Sequence, residues 1–445
     1  MSGYLRLLRR RTLRNAFAAA ALARLPVAMV PLGILLLVEE VRDSYADAGI
    51  VSAAFTVTAA VAAPAWGRLM DRSGQPRVVP VAVTASAALL AVLSVTAVRG
   101  GGMGLLVALA GAVGLFSLPL TAAARTVWRR ITSGEDERRA VFALDAVAME
   151  GVFVTGPLLL GVLVAGTPPA VPLVVTAGIQ FAGGLAYALS GARAVGIPGR
   201  PEVAPVPEPV LVEARVAGPG VPAPPIAGAE PVVTEPIVTE PAARGRAGAL
   251  VPRGLVAVLL VSLATGTCFG QLDVGVAAAA KDVFHRPALV GQFFAAVAAG
   301  SAVGGLWFGG RRWHGPDRRR LPLITAWFGL ALLATAALLA TATARPELLL
   351  TLLFLAGLAV SPGIIVEAGL VDRMAPGERL AEAQAWLGTA MTSGIAAGTT
   401  VGGFVVDGWG PAASLLGAAV GAGCATAVAL GAQRRWRATD GPDQA

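Results

Sequence analysis

Runs of about 20 predominantly apolar residues recur along nearly the whole chain, each long enough to cross a ~30 Å hydrocarbon core. A backbone in hydrocarbon has no water to bond, so such runs must close their hydrogen bonds internally, as helices do. The sequence predicts spans at 15–38, 46–66, 78–98, 103–124, 140–165 and 171–191. After a break, six more follow at 254–279, 289–310, 322–342, 348–371, 383–406 and 411–432. The expected fold is an all-α polytopic membrane protein with twelve transmembrane helices. Composition agrees, since only 14% of the 445 residues are charged, against about a quarter in soluble proteins.

The net charge of +8 could suggest a polyanionic partner, but its placement argues otherwise. With both termini cytoplasmic, 29 of the 35 Lys and Arg residues fall on cytoplasmic segments. Arg24 lies inside the first helix, and Arg42, Arg99, Lys281, Arg286 and Arg345 fall on external loops. Basic residues are retained on the cytoplasmic side, so this split sets the expected orientation and accounts for the charge without nucleic acid. Cys268 and Cys424 fall within predicted helices and read as small core residues. The Arg-rich start and the long apolar run after it, with no clear cleavage site, read as an uncleaved first helix.

Between 195 and 252 proline becomes dense, with a short tandem VVTEP-IVTEP. Proline at this density blocks helix and favours extended chain, so the segment reads as a disordered cytoplasmic tether, with docking of a Pro-rich motif as the alternative. The expected organisation is a six-helix bundle over 1–194, the linker over 195–252, a second six-helix bundle over 253–432 and a tail over 433–445. The halves echo each other at an offset of roughly 240 residues, as parallel six-helix repeats would. Pro119 is followed by a charged loop and AVFALDAVAMEGVFVTGP; Pro362 is followed by a charged loop and AEAQAWLGTAMTSGIAAG.

One segment carries more identity than any other. Gly67-Arg-Leu-Met-Asp-Arg-Ser-Gly-Gln-Pro-Arg77 is a charged connection between two apolar runs. Gly67 and Gly74 permit a tight turn, the arginines hold it in the cytoplasm, and Asp71 gives them a partner. A weaker mate, Gly305 to Arg312, lacks the acid. The set Gly67, Leu69, Asp71, Arg72, Gly74 and Arg77 resembles the loop between helices two and three of the major facilitator superfamily. The resemblance is to transporters of actinobacterial, drug- or metabolite-efflux type, and it covers the membrane portion. It implies two pseudo-symmetric halves working by alternating access. It also implies that Asp71 lies against the start of helix eleven near Ala383, with Asp145 receiving Arg72 or Arg77. The cluster would then be a cytoplasmic latch, or alternatively a permanent surface salt-bridge cluster.

Ionisable residues inside a bilayer are costly and are functional candidates by default. Arg24 in helix one and Glu150 in helix five sit at matching depths and are expected to pair, either as a proton-coupling site or as a static packing pair. Gln271 and Asp273, beside Gly266 and Gly270, mark either a loosened substrate-facing stretch of helix seven or its external interface. Glu367 and Asp372 read as interfacial. Gly394, Gly398 and Gly402 give helix eleven a smooth packing face, and Gly156-Pro157 a bend in helix five.

No P-loop, HExxH, clustered Cys/His or Gly-x-Ser-x-Gly motif occurs, so neither an ATPase, a metal site nor an enzyme is expected. The expected function is export of a small organic molecule across a bacterial plasma membrane, by a monomer that needs no cofactor and draws on a proton gradient. Sugar or metabolite uptake on the same fold, and a non-transporting membrane sensor or scaffold, remain the alternatives.

Overall fold

The computed structural model describes residues 11–132, 135–195, 253–311, 313, 316–341, 343–375 and 379–437. The proline-rich linker lies outside the described residues. Twelve helices among the described residues are long and apolar enough to span a bilayer, and no strand is found there. The first half contains α1 (Arg11–Arg42), α2 (Tyr45–Ser73), α3 (Gln75–Val98), α4 in two segments (Met103–Leu115 and Leu120–Ile131), α5 (Glu135–Gly166) and α6 (Val171–Val195). The second half contains α7 (Arg253–Ala278), α8 (Leu289–Gly309), α9 (Leu321–Leu339), α10 in two segments (Pro346–Gly357 and Val360–Met374), α11 (Leu380–Trp409) and α12 (Pro411–Gly431). A short helix, Gln433–Arg437, follows. Successive helices alternate in direction, so one end of the bundle carries Gly74 and the opposite, far end carries the α1–α2 and α7–α8 connections.

The halves pair their helices alike. In the first, α1 packs on α6 and α5, α3 on α6 and α2 on α4; in the second, α7 packs on α12 and α11, α9 on α12 and α8 on α10. Between halves, α2 lies on α11 and α5 on α8.

The breaks in α4 and α10 repeat as well. Pro119 lacks an N–H, so helical bonding to Leu115 stops, and Trp66 Nε1 donates to the Leu115 carbonyl at 2.7 Å instead. At the second break Ala359 bonds back to Ala356, and Trp327 Nε1 donates to the freed Leu355 carbonyl at 2.9 Å. An unsatisfied carbonyl in hydrocarbon costs several kcal/mol, so the two indoles make the breaks tolerable.

The stretch expected to be a hairpin loop is helical. Residues 67–73 form the last turns of α2, α3 starts at Gln75, and Gly74 alone connects them. Gly74 sits at φ 82°, ψ 140°, a conformation open to glycine and strained for other residues. Arg72 in the last turn of α2 suits the negative end of the helix dipole.

The glycines of α11 hold it against α7. A methyl at Gly394 would meet the backbone of Leu263 and Thr267, one at Gly398 the Thr267 backbone, and one at Gly402 the Gln271 backbone. From the other side Gly266 and Gly270 meet α11 in the same way. Helix α7 is therefore continuous through Gly266 and Gly270, which serve close packing rather than the unwinding expected from sequence. Gly398→Val should collapse the monodisperse peak on size-exclusion chromatography and lower Tm, since this site has backbone against it. Gly104→Val, which faces open space, should leave both unchanged.

Candidate functional site

The polar groups inside the bundle are distributed in layers from the Gly74 end to the far end. Nearest the Gly74 end, Arg24 of α1 and Asp145 of α5 form a buried ion pair at 2.7 Å, with side chains 1% and 3% exposed. Trp128 Nε1 donates to the same Asp145 oxygen at 2.9 Å, and Phe17 stacks on Trp128 with centroids 4.1 Å apart. Two aromatic rings thus cover a charge pair that has almost no contact with solvent. An interior guanidinium needs an ionised acceptor, and Asp145 supplies it.

This corrects the expected pairing of Arg24 with Glu150. Helix α5 begins at Glu135 rather than near 140, which carries Asp145 down into the span to meet Arg24. Asp145 therefore cannot receive Arg72 or Arg77 as expected of the latch. Glu150 stands further on, midway along α5, and accepts a hydrogen bond from Ser361 Oγ at 3.3 Å. Ser361 in turn shares a hydrogen bond with Ser301 at 2.7 Å. Glu150 in the first half is thus joined to α8 and α10 of the second.

At the far end the halves are locked together. Asp407, near the end of α11, accepts from Ser44 Oγ (2.9 Å), Tyr45 N–H (2.8 Å) and Ala46 N–H (2.9 Å) at the start of α2. The N-terminus of a helix favours an anion, so Asp407 is a capping acid supplied by the other half. Lys281 reaches Glu39 at 2.8 Å and Glu40 at 2.9 Å on α1. It does so from a π-helical turn, Ala279–Val283, that ends α7 and re-aims the side chain. Close backbone packing reinforces the lock: Gly49 meets Thr399, Gly403 meets Tyr45, and Gly161 meets Gly291. Gly156 packs on α1 at Ala28, and the Pro157 carbonyl faces Gly291 of α8.

At the Gly74 end the picture is the reverse. Asp71, Arg72 and Arg77 are exposed, and no hydrogen bond or ion pair joins them to another described residue. Leu69 is 42% exposed, and a methyl at Gly67 would meet open space. Ala383, expected beside Asp71, is buried and belongs to a hydrophobic core of its own half. Among the described residues the expected latch is unmade in this conformation, and the polar contacts between halves lie at mid-depth or at the far end.

The second half has its own acid near the equivalent connection. Asp317 binds Arg320 at 2.5 Å and Arg373 of α10 at 2.5 Å. The stretch Gly305–Arg312 itself has no acid, and Asp317, five residues beyond it, is the nearest one. In the first half Gln75 does similar work, with its Nε2 donating to the Ala123 carbonyl and Thr126 Oγ1, and its Oε1 accepting from Tyr187.

Gln271 and Asp273 do not act as a pair. Gln271 is buried with its side chain against Gly417 of α12, while its carbonyl accepts from Ser414 at 2.9 Å. Asp273, two residues on, points to nearly the opposite side of α7, half-buried and without a hydrogen-bonding partner among the described residues. It lies about 8 Å before the end of α7 at Ala278 at 1.5 Å per residue, with the π turn Ala279–Val283 beyond it. Glu367, expected at the interface, is 2% exposed inside the second half. Glu39, Glu40, Lys281 and Asp407 were not singled out as a group, although Lys281 is the sole lysine and two adjacent acids end α1.

Asp145→Leu should cost about 3–5 kcal/mol by leaving Arg24 buried without a counter-charge. The double variant Arg24→Met/Asp145→Leu should recover most of that loss in thermal unfolding, because an apolar replacement of a buried pair is close to neutral.

The sequence matches the family described as Major Facilitator Superfamily over residues 16–326. No curated protein matches the chain. Among solved structures, a bacterial homologue of the iron transporter ferroportin in an inward-facing state is 14% identical, with a TM-score of 0.61, covering 97% of this chain and 98% of that one. A variant of the nucleoside transporter NupG is 13% identical, with a TM-score of 0.61, covering 97% and 100%. A variant of the peptide transporter POT is 16% identical, with a TM-score of 0.57, covering 98% and 95%. At these identities the likeness is one of fold.

Proposed function

Because the chain belongs to the Major Facilitator Superfamily, we propose that it exports a small organic molecule across a bacterial plasma membrane by alternating access, in exchange for protons. The family makes it a transporter rather than an enzyme. The observation that carries the reading is closure at one end only. Asp407 and Lys281 tie the halves at the far end, while Asp71 and its arginines stand unpaired at the other.

The positive-inside rule assigns the Gly74 end to the cytoplasm, with both termini on that side. The conformation is then inward-facing, with the external gate shut and the latch on Asp71 available to form in the opposite state. Rocking one half against the other requires breaking the Asp407 and Lys281 contacts and making those at Asp71. Glu150 is the proposed proton carrier, because it bridges the halves at mid-depth through Ser361, and proton loss or gain there changes a contact between them. The Arg24–Asp145 pair, sealed under Trp128, is the static packing element. The protein works as a monomer in the bilayer without cofactor, metal or nucleic acid.

The test is flux in proteoliposomes with an imposed pH gradient, with ethidium as the first probe. The reading predicts ethidium movement against its own gradient, abolished by a protonophore. Glu150→Gln should lose the gradient-driven component yet retain downhill exchange. An unchanged pH profile in Glu150→Gln would remove Glu150 from the coupling, and protonophore-insensitive flux would remove proton antiport.

A further inference from the structure

A cavity of about 570 Å³ opens on the second half, apart from Glu150 and from the far-end lock. Val303 and Trp307 of α8 and Leu323 and Trp327 of α9 form its walls, and Leu358 and Pro362 at the α10 break form its floor. The walls are exposed large apolar side chains within membrane-spanning helices. On α9 the exposed set continues as Leu330 and Leu333, one stripe at helical spacing. Helix α9 packs on α12 and α10 of its own half, so this stripe faces lipid rather than the first half.

The groove lies close to one membrane surface. Val303 stands six residues before the end of α8 at Gly309, and Trp327 six residues after the start of α9 at Leu321. Each wall therefore reaches about 9 Å inward from the Gly74 end, over half the ~15 Å hydrocarbon depth of one leaflet. The mouth is cationic. Arg311 and Arg320 lie over the Trp313 ring, 5.6 Å and 5.4 Å from its centroid, and Trp313 and Arg320 themselves line the cavity. Trp313 is fixed in turn by its Nε1, which donates to the Phe308 carbonyl at 2.8 Å, and by an edge contact with Trp307. Cation–π contact thus holds two guanidiniums at the mouth. Asp317 binds Arg320, but the connection from Arg311 to Arg320 carries five arginines against that one acid. The short helix Gln433–Arg437 adds Arg434, Arg435 and Arg437 beside it, held there by Gln433 Nε2 donating to the Arg318 carbonyl. An apolar slot with surplus positive charge at its surface end is complementary to a lipid with an anionic headgroup.

We propose that the groove between α8, α9 and α10 is a binding site for one anionic phospholipid. An acyl chain fills the apolar slot, and the phosphate meets Arg311 and Arg320 at the Trp313 end. Guanidinium suits this role because its planar fork matches phosphate oxygens. A neutral lipid fills the slot equally well but gains nothing at the mouth, so headgroup charge sets the preference. Pro362 on the floor adjoins Ser361, the partner of Glu150, so the lipid touches the segment that joins the halves. On the orientation proposed above the lipid belongs to the cytoplasmic leaflet. That assignment rests on the transport reading, whereas the site itself does not.

The test uses the full-length protein in detergent, with dioleoyl phosphatidylglycerol and dioleoyl phosphatidylcholine added in equal amounts, read by native mass spectrometry and thermal unfolding. The wild type should retain one phosphatidylglycerol in preference to phosphatidylcholine, and gain Tm more with the former. An arginine near the phosphate is worth about fivefold in affinity, so Arg311→Gln, at an exposed position, should cut the preference by about that factor. Val303→Trp, on an exposed wall, should block the slot and lose the adduct although every arginine remains. Glycerol 3-phosphate, which carries the phosphate without chains, should give no gain in Tm. Equal retention of the two lipids by the wild type overturns the proposal, as does an undiminished preference in either variant or a Tm gain from glycerol 3-phosphate alone. A dimer in place of the lipid adduct, dispersed by Val303→Trp, would make the groove a contact between copies and overturn it too. The readout involves no flux, so failure of the export reading would produce none of these results.

Discussion

A bilayer gives no water to a polar group, and the main departures from a plain apolar helix among the described residues are settled by a partner within the protein. The clearest instance is the Arg24–Asp145 pair. A guanidinium and a carboxylate with almost no exposure are sustained by direct contact and by the Trp128 indole. Removing one member leaves a charge in hydrocarbon, which is why the pair constrains α1, α4 and α5 together. The proline breaks obey the same constraint at backbone level, with Trp66 and Trp327 donating to the two carbonyls that the breaks release.

The contacts between halves are of a different kind, because a moving interface must be reversible. At the far end they are carboxylates held by backbone N–H groups, a single lysine and close glycine packing. Lys281 and Glu40 are partly exposed, so their attraction is moderate and can be exchanged for hydration. Glycine surfaces such as those at Gly49 and Gly161 present backbone to backbone and carry no interlocking side chains. A shut far end and an unpaired Asp71 are thus two sides of one conformation.

Much of the fold was legible because the bilayer imposes length and polarity so strictly. The spans and the doubling at an offset of roughly 240 residues follow from apolar length and repeated pattern, whereas the breaks inside α4 and α10 were not expected. The site was harder to read, for local reasons. The charged stretch Glu135 to Arg139 reads as loop but starts α5, and that shift exchanges Asp145 for Glu150 as the partner of Arg24. Glu367 lies near the end of its predicted span, and depth alone could not tell that its helix face turns inward. Lys281 depends on a π turn after four alanines, and Asp407 on a helix start in the other half; neither relation is encoded locally.

The central claim is that the far-end lock and the Asp71 latch are mutually exclusive. It is tested most directly by spin-label distances between α2 and α11 at both ends, with Cys268 and Cys424 replaced. Labels at Arg72 and Glu382 report the Gly74 end, and labels at Asp43 and Trp409 report the far end. Breaking the lock with Lys281→Met and Asp407→Asn should lengthen the far-end distance and shorten the Gly74-end distance in the same sample. If both distances stay as in the unmutated lock, or both lengthen together, the two ends are not coupled and the account fails.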